Sequence, residues 1–161
     1  SVDPYYLIQK AQVYGVLPRV MSSARRLNDG MGEYVANQVI KLMNKKGILV
    51  KGADILLLGF TFKENCPDIR NTKIIDIYTT LAEYSDRISV CDPLADLLDV
   101  KRLYGIDIIS KPEPEHKYDV IVLGVAHNDF LSLNLRDYLK EKGIIYDVKS
   151  ILPREIIDGR L

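Results

Sequence analysis

The chain has 161 residues, 47% of them hydrophobic, and its 22 lysines and arginines are balanced by 22 aspartates and glutamates. That apolar fraction supports a packed core and excludes a disordered or collagen-like chain, and balanced charge without a basic run gives nucleic acid no electrostatic footprint. The longest apolar stretches fall well short of a membrane span and the first residues lack the blocks of a signal peptide, so no membrane association and a cytoplasmic location are expected. Cys66 and Cys91 have neither zinc-ligand spacing nor a disulfide framework, so no metal site and a reducing compartment are expected. The opening Ser1-Val2-Asp3-Pro4-Tyr5-Tyr6 has no initiator methionine, which points to a piece of a longer protein.

From Pro18 to Lys46 the residues Val20, Met21, Ala24, Leu27, Met31, Val35, Val39 and Leu42 recur at three- and four-residue steps, which predicts one long helix. Lys45-Lys46-Gly47 supplies its stop. At 1.5 Å per residue that helix is about 40 Å long, more than a small domain covers, so part of its stripe needs another surface. After Gly52 the rhythm changes. Ile55–Leu58 reads as a strand buried on both faces, followed by a helix at 72–84, a strand at Ile88–Cys91 and a helix at 95–104. A short strand near 106–109, a strand at 120–125, a helix at 133–142 and a last strand at 144–148 complete the pattern. This alternation predicts an α/β fold: an incomplete central helical segment at 1–47, then at 48–161 a Rossmann-like parallel sheet of five or six strands with helices on both faces.

Ligands of open parallel sheets bind beyond the carboxyl ends of the strands, so the loop after the first strand matters most. It runs from Gly59 to Thr72 and carries Lys63 and Arg70 ahead of a helix start that Asn71 or Thr72 can cap. Two cations beside free helix N–H groups suit a diphosphate, and a plain solvated loop is the alternative that composition leaves open.

Gly59-Phe60-Thr61-Phe62-Lys63 followed by Asp68-Ile69-Arg70-Asn71-Thr72 resembles the G-x-x-F-K…D-x-R-x-S/T signature of the UDP-glucose/GDP-mannose dehydrogenase family. Asp3-Pro4-Tyr5-Tyr6-Leu7, Arg25-Arg26-Leu27-Asn28-Asp29, Asp92-Pro93, Ala126–Phe130 and Asp147-Val148-Lys149 are similar to further family segments in the same order, so the resemblance covers essentially the whole chain. It implies a nucleotide-sugar 6-dehydrogenase, which uses NAD to oxidise the sugar C6 alcohol to a carboxylate through a cysteine-bound intermediate. It also implies that the catalytic cysteine precedes Ser1, that NAD is bound mainly by a preceding domain, and that the chain alone binds a UDP-sugar without catalysing. The motif wording is closest to the branch acting on UDP-N-acetylhexosamines in capsule or O-antigen synthesis: UDP-N-acetylglucosamine first, then its galacto epimer, then UDP-glucose.

The resemblance further implies roles for individual residues. Asp3 would help position or activate water for thioester hydrolysis; a turn aspartate before Pro4 is the alternative. Lys63 would contact the UDP-sugar with Phe62 beside the uridine or sugar, and Lys149 would lie near the same ligand, each otherwise a surface side chain. Arg70 would reach the NAD side of the cleft, or else pair with Asp68 or Glu64. Arg25 would reach substrate across a homodimer built on the central helix, or else bridge Asp29 one turn on. His127 is expected to cap a strand or helix. Cys66, although near Lys63 and Arg70, is not expected to be the nucleophile. A response-regulator-like module would need a larger acidic cluster than Asp92 and Asp147 provide, and a purely structural dimerisation fragment would leave Lys63, Arg70 and Lys149 at one sheet edge as coincidence.

Overall fold

A computed structural model describes residues 3–161; Ser1 and Val2, which precede the first family-like segment, lie outside the described residues. The chain begins with three helices, α1 (Asp3–Val13), α2 (Arg19–Asp29) and α3 (Met31–Lys46). The single long helix expected at 18–46 is thus two, meeting at Gly30. There ψ is −3° instead of the helical value near −42°, which opens the turn while Gly30 N–H still donates to Arg26 O.

The break divides the apolar stripe. Val35, Ala36, Val39 and Met43 of α3 are buried in the core, whereas Val20 and Leu27 of α2 are 84% and 71% exposed. Gly32 lets α3 lie directly on the next helix, α4 (Ile74–Ala82): a Cβ at Gly32 would stand 2.4 Å from the Asp76 Cβ.

Strands β1 (Ile55–Leu58), β2 (Ile88–Cys91), β3 (Ile108–Ile109), β4 (Tyr118–Leu123), β5 (Leu139–Asp147) and β6 (Gly159–Arg160) form one parallel sheet in the order β3-β2-β1-β4-β5-β6. The register aligns the carboxyl ends: Leu58 pairs with Cys91 and Leu123, and Leu123 pairs with Asp147. Strand alternation builds two core layers. Ile55, Leu57, Val90, Val120, Val122 and Ile144 face α3, α4 and α5 (Leu97–Tyr104). Leu56, Leu58, Cys91, Ile121, Leu123 and Ile145 face the thinner cover of α6 (Asn128–Leu131) with Leu135 and Leu152.

The helix expected at 133–142 is not there. Leu135–Tyr138 makes a single 3-10 turn and Leu139 already belongs to β5. Lys140, Glu141 and Lys142 bulge out between the Tyr118–Leu139 and Val120–Ile144 pairs, and Lys140 reaches under the sheet to Asp54 and to Asp119 at 2.8 Å. Backbone pairing with β4 outweighs the helical spacing of Leu135 and Leu139.

Chain order reverses between β1 and β4, so their loops leave on opposite faces and open a crevice at the carboxyl edge. Gly59 begins that edge at φ 89°, and a Cβ there would lie 2.4 Å from the Val125 Cβ and 2.8 Å from its backbone nitrogen. Gly59→Ala therefore combines left-handed strain with a backbone clash. A loss of about 2–4 kcal/mol is expected from the urea midpoint at unchanged m-value; a midpoint equal to the parent's would show that β1 and β4 separate easily here.

Candidate functional site

At the β1/β4 crevice lies a cleft of about 290 Å³ lined by Asn28, Met31 and Gly32 from the helical arm, Thr61, Phe62, Thr72 and Lys73 from the β1–α4 loop, and Val148 and Lys149 after β5. A second hollow of about 180 Å³ shares Asn28, Phe62, Thr72 and Lys73 and adds Tyr5, Arg25, Asp29 and Asn71, so the two form one groove. Phe62 stands where they meet and is 48% exposed, an aromatic face available for stacking. A larger apolar cavity of about 600 Å³ between Pro112 and Tyr138 lies away from the crevice, on the thinly covered face, with Lys111 as its cation.

The loop that carries Phe62 is rigidly held. Asp92, the first residue after β2, has no exposed surface and its Oδ2 accepts from Phe60 N–H (2.6 Å) and Thr61 N–H (2.9 Å). Its Oδ1 accepts from Leu94 N–H (2.8 Å) and Ala95 N–H (3.0 Å). His127 Nε2 lies 3.0 Å from Asp92 Oδ2. Burial, the largest single influence, raises the pKa of this carboxyl; the bonds from His127, Phe60, Thr61 and Leu94 together outweigh it and hold the group far below the usual range. Further along the loop, Phe62 N–H donates to Asp68 O (2.7 Å) and the Tyr104 hydroxyl donates to Ile69 O (2.6 Å). At the end of β5, buried Asp147 repeats the arrangement, accepting from Lys149 N–H (2.9 Å) and Leu152 N–H (2.7 Å). Among the described residues the non-glycine positions with positive φ are Asn65, Asn71 and Ser150, all on these two loops, so backbone strain gathers around the groove.

The helical arm closes the other wall. Arg25 Nη2 donates to the Tyr5 hydroxyl and to Asp29 Oδ1, both at 2.8 Å, and its guanidinium lies 4.5 Å from the Tyr5 ring centre. Tyr5 in turn donates to Asp29 Oδ2 at 2.6 Å. The Tyr5 bond is the main cause that raises the Arg25 pKa and lowers that of Asp29. Lys73 lies 3.4 Å from Asp29 and 3.1 Å from Asp76, tying α2 to α4.

The residues singled out in the sequence divide accordingly. Phe62 and Lys149 line the larger hollow and Arg25 the smaller one. Arg25 also makes the ion pair with Asp29 that was the alternative to substrate contact. Lys63 is exposed and outside the lining; its hydroxyl-bonded carbonyl is held by Thr61, and its charge helps lower the Asp68 pKa. Arg70 donates two bonds to the Asp68 carboxylate, both at 2.9 Å, with its side chain 79% exposed, and this pairing leads the causes that lower the Asp68 pKa to about 2. Asp3, the first residue of α1, borders a shallow depression with Tyr6 and Lys10 away from the groove. Cys66 is half-buried outside the lining, and burial pushes the Cys91 thiol up to about 12. Lys73 was missed by sequence reasoning, although it directly follows the D-x-R-x-S/T pattern at a helix start. Among the described residues no group of three or more His, Cys, Asp or Glu could hold a metal ion, and no helix is long and apolar enough to cross a membrane.

Residues 56–154 match the description of the UDP-glucose/GDP-mannose dehydrogenase family, UDP binding domain. The chain is 48% identical to the UDP-N-acetyl-D-glucosamine 6-dehydrogenase of Salmonella typhi over 100% of its own length and 38% of that protein. It is 47% identical to the protein of the same name from Pseudomonas aeruginosa, over 100% of its own length and 39% of that protein. It thus spans well under half of the curated relatives it matches. In fold it superposes on the crystal structure of NDP-N-acetyl-D-galactosaminuronic acid dehydrogenase from Methanosarcina mazei Go1 with a TM-score of 0.83, at 20% identity, over 98% of this chain and 36% of that one.

The buried carboxylate sets an acid limit. Because the folded pKa of Asp92 is depressed, its stabilisation is complete above the unfolded value of about 4 and is lost as pH falls toward the folded value. Asp92→Asn should lower stability by about 3 kcal/mol at pH 7, and the gap to the parent should narrow steadily as pH is lowered from about 4 to 2. Urea midpoints measured across that range test this; a gap that stays constant would mean that Asp92 is not held ionised.

Proposed function

The chain belongs to the UDP-glucose/GDP-mannose dehydrogenase family, and from that premise we propose that the groove at the β1/β4 crevice holds the UDP moiety of a nucleotide sugar. The observation that carries this reading is the convergence of Phe62, Lys73 and Lys149 on one cleft at the topological switch of the sheet. An aromatic face suits the uridine or sugar and the Lys149 ammonium suits a phosphate, while Lys73, paired with Asp29 and Asp76, shapes the wall between them. Lys63, on the solvent side of the same loop and outside the cleft's lining, is a further ligand contact in this reading, and Arg25 borders the sugar end of the groove.

We further propose that the protein of which this chain is part is an NAD-dependent UDP-N-acetylglucosamine 6-dehydrogenase, with the galacto epimer and UDP-glucose as the next substrates in order. The names of the relatives that match over the whole chain support the substrate. NAD, when bound, supplies the hydride acceptor. In this proposal Arg70 is the residue that meets it, since an exposed guanidinium paired with its neighbour Asp68 can exchange that partner for a phosphate. Asp3 stands in the proposal as the residue near the hydrolytic water. Neither cysteine lines the groove, so the 161-residue chain incubated with UDP-N-acetylglucosamine and NAD should form no NADH.

The exposed half of the apolar stripe, Val20 and Leu27 with neighbouring Leu17 and Tyr34, supports a homodimer through the helical arm. Sedimentation should then show concentration-dependent self-association that Leu27→Glu weakens; a strictly monomeric profile would remove the dimer.

Calorimetry with UDP tests the groove. Lys149→Ala should weaken binding by about ten- to a hundredfold, the range of a hydrogen bond to a charged group. Lys63→Ala should weaken it within the same range, and Lys142→Ala, on the exposed bulge of β5, should bind like the parent. Equal affinity in the parent and Lys149→Ala would place the nucleotide elsewhere.

A further inference from the structure

The β1–α4 loop turns back at Asn65, whose φ of 54° puts a non-glycine residue in the left-handed region. Such a conformation persists only where the surroundings over-determine it. Here the Asn65 N–H donates to His127 Nδ1 at 3.0 Å, while the Asn65 side-chain oxygen accepts from Asn128 N–H at 3.0 Å. A nitrogen that accepts from a backbone N–H carries no proton, so the ring proton of His127 sits on Nε2. Nε2 lies 3.0 Å from Asp92 Oδ2 and 3.0 Å from Thr61 Oγ1, and the Thr61 hydroxyl gives its own proton to Lys63 O at 3.2 Å.

One buried imidazole thereby reaches the loop on both sides of Phe62, Lys63 and Glu64. It holds Thr61 directly and through Asp92 before them, and Asn65 after them. His127 and Asp92 have no exposed surface, so the ring neither touches a ligand in the groove nor exchanges protons with it.

We propose that His127 is a positioning residue for nucleotide-sugar binding: through Asn65 and Thr61 it fixes the loop conformation that presents Phe62 to the groove. The proposal rests on the UDP reading above and adds to it a residue that acts through the loop.

Two substitutions separate positioning from general stability. His127→Gln places an amide N–H near the Nε2 position, keeping a donor for Asp92 while removing the acceptor of Asn65. His127→Asn places an oxygen near Nδ1, keeping the acceptor and losing the donor. UDP affinity by calorimetry should fall about tenfold in His127→Gln with the urea midpoint close to the parent's. His127→Asn should bind within about threefold of the parent despite a lower midpoint. Affinity and stability then change in opposite order, which a merely structural histidine would not produce.

The chain has two histidines, so nitrogen-15 NMR reads each ring directly. His127 should show its proton on Nε2, and the Asn65 amide should exchange slowly in the parent and fast in His127→Gln. Affinity that tracks stability across both variants, parent-like binding by His127→Gln, or a proton on Nδ1 would overturn the proposal. A parent chain that binds no UDP would instead overturn the nucleotide reading, and the ring proton and Asn65 exchange would still decide whether the clamp exists.

Discussion

A carboxylate without exposed surface costs several kcal/mol unless its oxygens are filled with donors, and the donors of Asp92 come from three places in the chain. Phe60 and Thr61 come from the loop after β1, Leu94 and Ala95 from the turn after β2, and His127 from the loop after β4. Withdrawing any one leaves a buried charge short of a partner, so the three segments are forced into one geometry. That requirement carries the carboxyl edge of the sheet. Asp147 imposes a smaller version at the end of β5, satisfied by Lys149 and Leu152 N–H. The crevice produced by the reversal of strand order is therefore framed by two buried aspartates whose cost is offset by backbone donors.

Rigidity of that frame explains how a long loop keeps one conformation along the groove. Fifteen residues of irregular chain would ordinarily lose much freedom on meeting a ligand. The bonds from Asp92, His127, Tyr104 and the loop's own Asp68 restrict that freedom at several points. The strain at Asn65 and Asn71 is held by the same contacts. On the opposite wall the Tyr5–Arg25–Asp29–Lys73 network is largely solvated, where single ion pairs contribute little. Its importance is geometric, because it fixes the angle at which the helical arm meets α4.

The arm has two characters divided at Gly30. Residues of α3 belong to the sheet's core, and Gly32 lets that helix touch α4 closely. The α1 and α2 segments carry apolar side chains with no cover among the described residues, including Val13, Leu17, Val20 and Leu27. A core-bound half beside an open half is the arrangement expected of an element that serves both its own domain and a second surface.

Local pattern was sufficient for much of this. Ile55–Leu58 and Ile88–Cys91 have the predicted boundaries, because a short apolar run between turn residues leaves few other structures for those residues. The motif residues Phe62 and Lys149 border one groove because both follow strands whose carboxyl ends share an edge, and Arg25 joins them from α2, which the packing of the helical arm brings to that edge. What periodicity could not decide were matters of partnership. The helix-like spacing at 133–142 gives way to β5 because β4 supplies a hydrogen-bonding neighbour that the segment itself does not reveal. The stripe from Val20 to Leu42 looks continuous in sequence, yet a change of ψ at Gly30 sends its halves to different surroundings. Arg70 has its carboxylate two residues away, a pairing open to sequence reading but chosen only by the fold of the loop. His127 carried no decisive signal at all: its three partners lie 35 to 66 residues distant in the chain. The sequence by itself determined the α/β alternation and the carboxyl edge at which the long loops follow the strands, because these follow from local composition and spacing, while the family came from the resemblance of its motifs to those of known members. Only the tertiary structure decided which donors meet the buried Asp92 and which side chains face the groove, because hydrogen-bond partners and burial are properties of distant segments brought together.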